Sequence, residues 1–132
     1  MSRPCPCTSK KPYDRCCGPF QAGTALPETA EQLMRSRFSA YALGKVDYLI
    51  STRPNAKRAD EDRGELARYC KSVSCVGLKI VHKEKGGQAD DTGIVTFHAS
   101  LQANGRRSLH IETSSFAREE GKWVYVDGVV KG

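Results

Sequence analysis

Long apolar runs, tryptophan and methionine are scarce in this chain: it has one tryptophan and two methionines, and aromatics make up 8% of its 132 residues. No apolar stretch approaches the ~20 residues of a membrane-spanning helix, which excludes that class. Met1-Ser2-Arg3-Pro4 leads directly into cysteines without the apolar segment of a secretory leader, so a cytoplasmic location is expected, where disulfides do not persist. There is no Ser-His-Asp constellation, no phosphate-binding glycine loop, no internal repeat and no low-complexity segment. Acidic residues are outnumbered by basic ones, 15 to 21, for a net charge of +6. The positive charges are dispersed and stacking aromatics are few, so the charge permits nucleic-acid contact without demanding it.

Cysteine is what the N-terminus has in excess. Cys5-Pro-Cys7, eight intervening residues, then Cys16-Cys17 place four thiols in a segment with little hydrophobic mass. Such a segment cannot build a core, and a metal is the best account of what holds it together. Zinc takes four tetrahedral ligands and suits thiolates, and a complete set of four cysteines leaves no open coordination position, so the expected site is structural. Four thiolates around one zinc carry two net negative charges, which Lys10, Lys11 and Arg15 in the intervening loop can offset. Cys70 and Cys75 lie far from this set in sequence and are expected to be inert, buried thiols.

The segment Cys5-Pro-Cys7-Thr8-Ser9-Lys10-Lys11-Pro12-Tyr13-Asp14-Arg15-Cys16-Cys17-Gly18 resembles the SEC-C motif, the small zinc-binding unit at the tail of the translocase ATPase SecA. Leu33-Met34-Arg35-Ser36-Arg37-Phe38-Ser39-Ala40-Tyr41, Asp47-Tyr48-Leu49-Ile50, Glu112-Thr113-Ser114-Ser115-Phe116 and Gly121-Lys122-Trp123-Val124-Tyr125-Val126-Asp127-Gly128 resemble the bacterial YchJ family. Two departures stand out: the glycines usual after the second cysteine are Thr8 and Lys10, and the Trp-His-Pro that often follows the second helix reads Arg53-Pro54. The resemblance implies an α+β fold in two parts, a SEC-C-like zinc knuckle over residues 1–20 and a nuclear-transport-factor-2-like cone over 26–132. In that cone three helices pack in a curved four-stranded antiparallel sheet.

Local patterns support the same architecture. Thr29-Ala30-Glu31-Gln32 is a capping box that opens a helix over Ala30 to Leu43, with Gly44 as its stop. A short helix is expected over Val46 to Ser51 and a third from near the acidic Asp60-Glu61-Asp62 to about Lys71, whereas Gly18 to Thr24 reads as a linker. Alternation then predicts strands near Val73–Lys83, Thr92–Ala103, Arg106–Arg118 and Lys122–Val129, joined by Gly86-Gly87, Asn104-Gly105 and Glu120-Gly121.

Arg37 falls on the apolar face of the first long helix, with Tyr41 beside it. Glu112 shares a strand face with His110, Ser114 and Phe116, and Asp127 shares one with Trp123 and Tyr125. A buried guanidinium needs a partner, so Arg37 is expected to pair with a sheet carboxylate, Glu112 in preference to Asp127. The pair is either a structural lock between helix and sheet or part of an anion-binding or acid–base site. His82 and His110 are expected on the surface, and His98 on a solvent face or satisfied.

Three function classes follow. The knuckle presents Lys10, Lys11 and Arg15 as a rigid basic surface, and the SEC-C resemblance implies protein partners such as the secretion chaperone SecB or the ribosome, so an interaction module is the leading expectation. A small-molecule carrier or an isomerase- or hydratase-like enzyme using the cone pocket is the second, and nucleic-acid binding by the basic knuckle the third.

Overall fold

The computed structural model describes residues 3–131. A 3₁₀ turn at Tyr13–Arg15 leads to α1 (Gly18–Ala22), α2 (Ala30–Leu43) and α3 (Val46–Ser51). A 3₁₀ segment, Asn55–Asp60, precedes α4 (Arg63–Ser72), and β1 (Ser74–Lys85), β2 (Thr92–Ala103), β3 (Arg106–Glu119) and β4 (Lys122–Lys131) complete the chain. The strands form one antiparallel sheet in sequence order. Both two-residue hairpins, Asn104-Gly105 and Glu120-Gly121, have positive φ at each central residue, the geometry whose twist matches that of the flanking strands.

One local expectation needs correction. The segment read as a linker starts with α1, which Pro19 opens and Gly23 closes in the left-handed conformation. The third expected helix starts at the end of its acidic run, where Asp62 is the cap and accepts from the Glu65 amide at 2.9 Å. The capping box at α2 forms with a shift: the Thr29 hydroxyl accepts from the Gln32 amide at 3.1 Å, and the Gln32 side chain reaches the Glu28 amide at 2.7 Å.

Helix α2 is the axis of the molecule, with apolar Leu33, Met34 and Phe38 buried together with Ser36, Arg37 and Ser39. A helix buried on so many sides needs a partner for every polar group. Ser36 donates to the Leu33 carbonyl and shares a hydrogen bond with the Tyr48 hydroxyl of α3. Gln21 of α1 donates to the Ser36 carbonyl and to the Ser39 hydroxyl. On the other side Phe38 meets the sheet core of Val95, Phe97, Phe116 and Trp123. Cys5, Cys7 and Cys17 belong to that same cluster, so the expected division at residues 20 to 26 separates the chain in sequence while one core runs through both parts.

Candidate functional site

The four N-terminal sulfurs converge. All lie within 4.8 Å of one another, with Cys7 and Cys16 3.5 Å apart and Cys16 and Cys17 3.9 Å apart. A tetrahedral zinc with ~2.3 Å bonds to sulfur has a sulfur-to-sulfur edge of roughly 3.8 Å, so the donor set fits such an ion. Hydrogen bonding from Cys17, opposed by burial, holds the Cys7 thiol down at about 4, with Ser9, Cys16 and Cys5 adding to the effect. The Cys17 thiol is driven the other way, first because it donates to Cys7 and then because it is buried. A thiolate is thus favoured at Cys7 and opposed at Cys17, a conflict that a bound cation would relieve.

Backbone geometry shapes this knuckle. Thr8 and Lys10, standing where glycine is usual, are both left-handed, at φ 61° and 73°. The Cys5 amide donates to the Lys11 carbonyl at 2.9 Å, and Arg35 of α2 donates to the Cys7 carbonyl at 3.2 Å. Thr8 accepts from the Leu78 amide of β1 at 3.2 Å, and its one proton lies between the Cys7 and Leu78 carbonyls, at 2.7 and 3.1 Å. Lys10, Lys11 and Arg15 are exposed.

A second site opens between α2, α4 and the sheet, a cavity of about 520 Å³. Its walls are largely apolar, with Met34, Phe38, Leu66, Phe97 and Leu101, and its polar contributors include Arg37, Tyr41, His110, Glu112 and Tyr125. Carboxylates of Asp60, Glu61, Asp62 and Glu65 also border it.

The expected Arg37–Glu112 ion pair does not form. Arg37, 5% exposed, donates to the Leu49 carbonyl at 2.7 Å and the Thr52 hydroxyl at 2.5 Å and lies over the Tyr125 ring at 4.6 Å. Its charge is therefore met by carbonyl and hydroxyl dipoles and a ring face, while burial lowers its proton affinity. Glu112 has other partners: His110 Nε2 at 2.9 Å, the Ser114 hydroxyl at 2.5 Å and the Tyr125 hydroxyl at 2.9 Å. Burial opposes its ionisation, but the hydrogen bonds from Ser114, His110 and Tyr125 outweigh that and hold its carboxyl below the usual range. Tyr125 is displaced upward, by burial and then by the neighbouring Glu112 charge.

Asp127 is not in the cavity. Phe116 pairs with Tyr125 but Ser115 pairs with Asp127, leaving Val126 as a bulge. One extra residue reverses the alternation, so Asp127 is exposed and Gly128 takes the inward position opposite Ser114. A Cβ at Gly128 would overlap the Glu112 carboxylate. The bulge carbonyls are satisfied by Arg53, which donates to Tyr125 O at 3.1 Å and Val126 O at 2.9 Å, and by Lys57 at 3.2 Å. Arg53 Nε also lies 2.9 Å from Glu61, an ion pair without directed hydrogen-bond geometry at that nitrogen.

His110, expected on the surface, is half-buried and lines the cavity; His82 is exposed as expected, and His98 is half-buried opposite the Phe97 face. Arg53, Ser114 and His110 are the functional candidates that sequence reasoning passed over. The shared strand face of His110, Glu112 and Ser114 was the available signal for two of them. Cys75 also lines the cavity, and burial pushes its thiol up to about 11, which leaves it protonated and weakly nucleophilic at neutral pH.

Comparison with known proteins gives a consistent picture. Residues 29–128 match the family described as "YchJ, middle NTF2-like domain". A UPF0225 protein of Chromobacterium violaceum is 42% identical, over 96% of this chain and 92% of its own length, and a UPF0225 protein of Streptomyces coelicolor is 42% identical, over 95% and 94%. The solution structure of a SEC-C motif containing protein from Rhodopseudomonas palustris matches all of both chains with a TM-score of 0.87 at 31% identity. A SEC-C motif containing protein from Psychrobacter arcticus shares the fold, with a TM-score of 0.82 over 100% of this chain and 84% of its own, at 24% identity.

Proposed function

The chain belongs to the YchJ family, and from that premise we propose that it is a small-molecule-binding cone stapled by a structural zinc ion. The observation that carries the ligand reading is the cavity of about 520 Å³, with apolar walls and a hydrogen-bonded polar group. That size and lining are typical of sites for small organic molecules. The test is ligand-observed NMR with a library of small apolar carbonyl and aromatic compounds, run on the wild type and on Ala99→Trp, which fills the cavity. Saturable binding that Ala99→Trp abolishes supports the reading, and equal binding by both proteins overturns it.

Cys5, Cys7, Cys16 and Cys17 would hold the zinc. Bound there, the ion supplies the positive charge that lets four thiolates share one buried place and closes the knuckle against α2 and β1. Elemental analysis should find one zinc per chain in the wild type and a clear loss in Cys16→Ser; full retention in that variant would remove Cys16 from the ligand set.

The exposure of Lys10, Lys11 and Arg15 supports a second reading, a basic interaction surface for a protein partner such as a secretion chaperone or the ribosome. Binding of purified SecB or ribosomes, weakened in a variant with all three residues changed to Ala, would favour it. Steeply salt-dependent binding to nucleic acid alone would favour the nucleic-acid alternative instead. No helix among the described residues is long and apolar enough to cross a membrane.

A further inference from the structure

Cys75, Glu112 and His110 are the cavity side chains to weigh as a reacting base or nucleophile. Cys75 is protonated at neutral pH and is a poor nucleophile, and Glu112 has both oxygens occupied by His110, Ser114 and Tyr125. His110 is different. Its Nε2 lies 2.9 Å from Glu112 Oε1, and since an ionised carboxylate only accepts, that nitrogen carries the ring proton. In the neutral ring the proton is then absent from Nδ1, which has no hydrogen-bond partner among the described residues and is not among their buried unsatisfied atoms. The ring is 32% exposed, borders the cavity, and lies beside Phe97 with ring centroids 6.2 Å apart.

Tyr41 is the complementary group. It borders the same cavity, its hydroxyl has no hydrogen-bond partner among the described residues, and burial raises its proton affinity so that it stays a donor. A free ring nitrogen that accepts and a neutral hydroxyl that donates, in a mainly apolar space, are the equipment for moving a proton on a neutral substrate.

We propose that His110 is a general base, positioned by Glu112, for small and mainly apolar carbonyl compounds with a removable proton on the carbon next to the carbonyl. This rests on the reading of the cavity as a ligand site. Nδ1 takes the α-proton, the electrons of the broken C–H bond form the C=C bond of an enolate, and the carbonyl π electrons move to oxygen, which accepts the Tyr41 hydrogen bond. The proton returns from His110 to carbon, so the sequence closes with no redox change and no co-reactant. Glu112 acts through the ring: it fixes the tautomer and balances the imidazolium charge.

The experiment uses the full chain and 2-tetralone as probe, with saturation-transfer NMR reporting binding and deuterium incorporation from D2O reporting α-proton exchange. Exchange should be saturable and faster than in buffer. His110→Gln should lower the accelerated rate by about a hundred-fold, with binding retained, and Tyr41→Phe should lower it less. Nitrogen-15 spectra of the imidazoles should show His110 protonated on Nε2, with that preference lost in Glu112→Gln, and the accelerated exchange should fall in Glu112→Gln with binding retained, an effect that a purely structural hydrogen bond would not have. Binding of 2-tetralone without accelerated exchange, or acceleration unchanged in His110→Gln, overturns the base assignment and leaves the ligand reading standing. A failure of 2-tetralone to bind overturns the proposed substrate class, and binding by no member of the wider library removes the ligand reading as well. His110 protonated on Nδ1 in the wild type also overturns the proposal.

Discussion

The cysteine knuckle and the cavity carboxylate solve the burial of polar groups in opposite ways. Glu112 has a donor for each of its close contacts, from His110, Ser114 and Tyr125, and the protein alone stabilises its charge. The four thiols have mainly one another: a thiolate at Cys7 is favoured by the donors that surround it, but a second at Cys17 is opposed. A site whose electrostatics close within the protein can serve chemistry without help, whereas one whose electrostatics remain in conflict calls for an outside charge.

The largest expected effect breaks the knuckle. Cys17, 1% exposed, belongs to the core that includes Leu33 and Phe38, so Cys17→Ser should lose the metal and destabilise the whole chain by more than ~4 kcal/mol. Urea titration with near-UV circular dichroism reads this. An unchanged body transition would show that the knuckle's stability is separate after all, as its position in the sequence suggests.

Next comes Arg37. Arg37→Met should cost about 2–4 kcal/mol through the hydrogen bonds to Leu49 and Thr52 and the contact with Tyr125. Glu112→Gln should not rescue it, since the two charges are not paired. They meet through Tyr125, which lies under the Arg37 guanidinium and donates to Glu112, so a double-mutant cycle should give a coupling of roughly 1 kcal/mol or less. Recovery of most of the loss in the double variant would reinstate a direct ion pair.

The cavity carboxylate gives a smaller, pH-dependent signal. Because the folded carboxyl of Glu112 is held below its ordinary 4.5, its contribution is fully present above that value and disappears as pH falls through the folded value. The urea midpoint advantage of the wild type over Glu112→Gln should therefore be constant at neutral pH and shrink below about 4.5. An advantage that grows on acidification would contradict the assigned direction.

Smallest is the loop backbone. Lys10 is exposed and left-handed, so Lys10→Gly should raise stability by up to ~1 kcal/mol. Thr8→Gly should gain the same relief but lose the bonds to Leu78, and thermal melts should place it below Lys10→Gly.

Much of this was legible in residue order. Strand Thr92–Ala103, the two-residue hairpins and the long helix with its threonine cap follow from alternation, turn chemistry and capping, all local signals. The four clustered cysteines were legible because their residue type restricts what they can do. The cavity was less so. The placing of Asp127 depended on unbroken alternation past Tyr125, and the Val126 bulge, held by Arg53 and Lys57 from elsewhere in the chain, reverses it. Arg37 was correctly placed inside, but its partners are backbone and hydroxyl oxygens of α3 and the residue after it, which no carboxylate pattern reveals. His110 precedes Glu112 by two residues on one face, yet its inward position depends on how the sheet curves around α2.

One consequence of the Thr8 contact concerns behaviour in concentrated solution. β1 is the outermost strand on its side of the sheet, and the Leu78 amide and carbonyl that would be open to a foreign strand are engaged by the Thr8 hydroxyl. The knuckle thus acts as a cover over a pairing edge, the kind of edge through which sheets join one another and aggregate. Metal supply would then govern solubility as well as stability: a chain that lost its ion would uncover β1 and tend to associate through it.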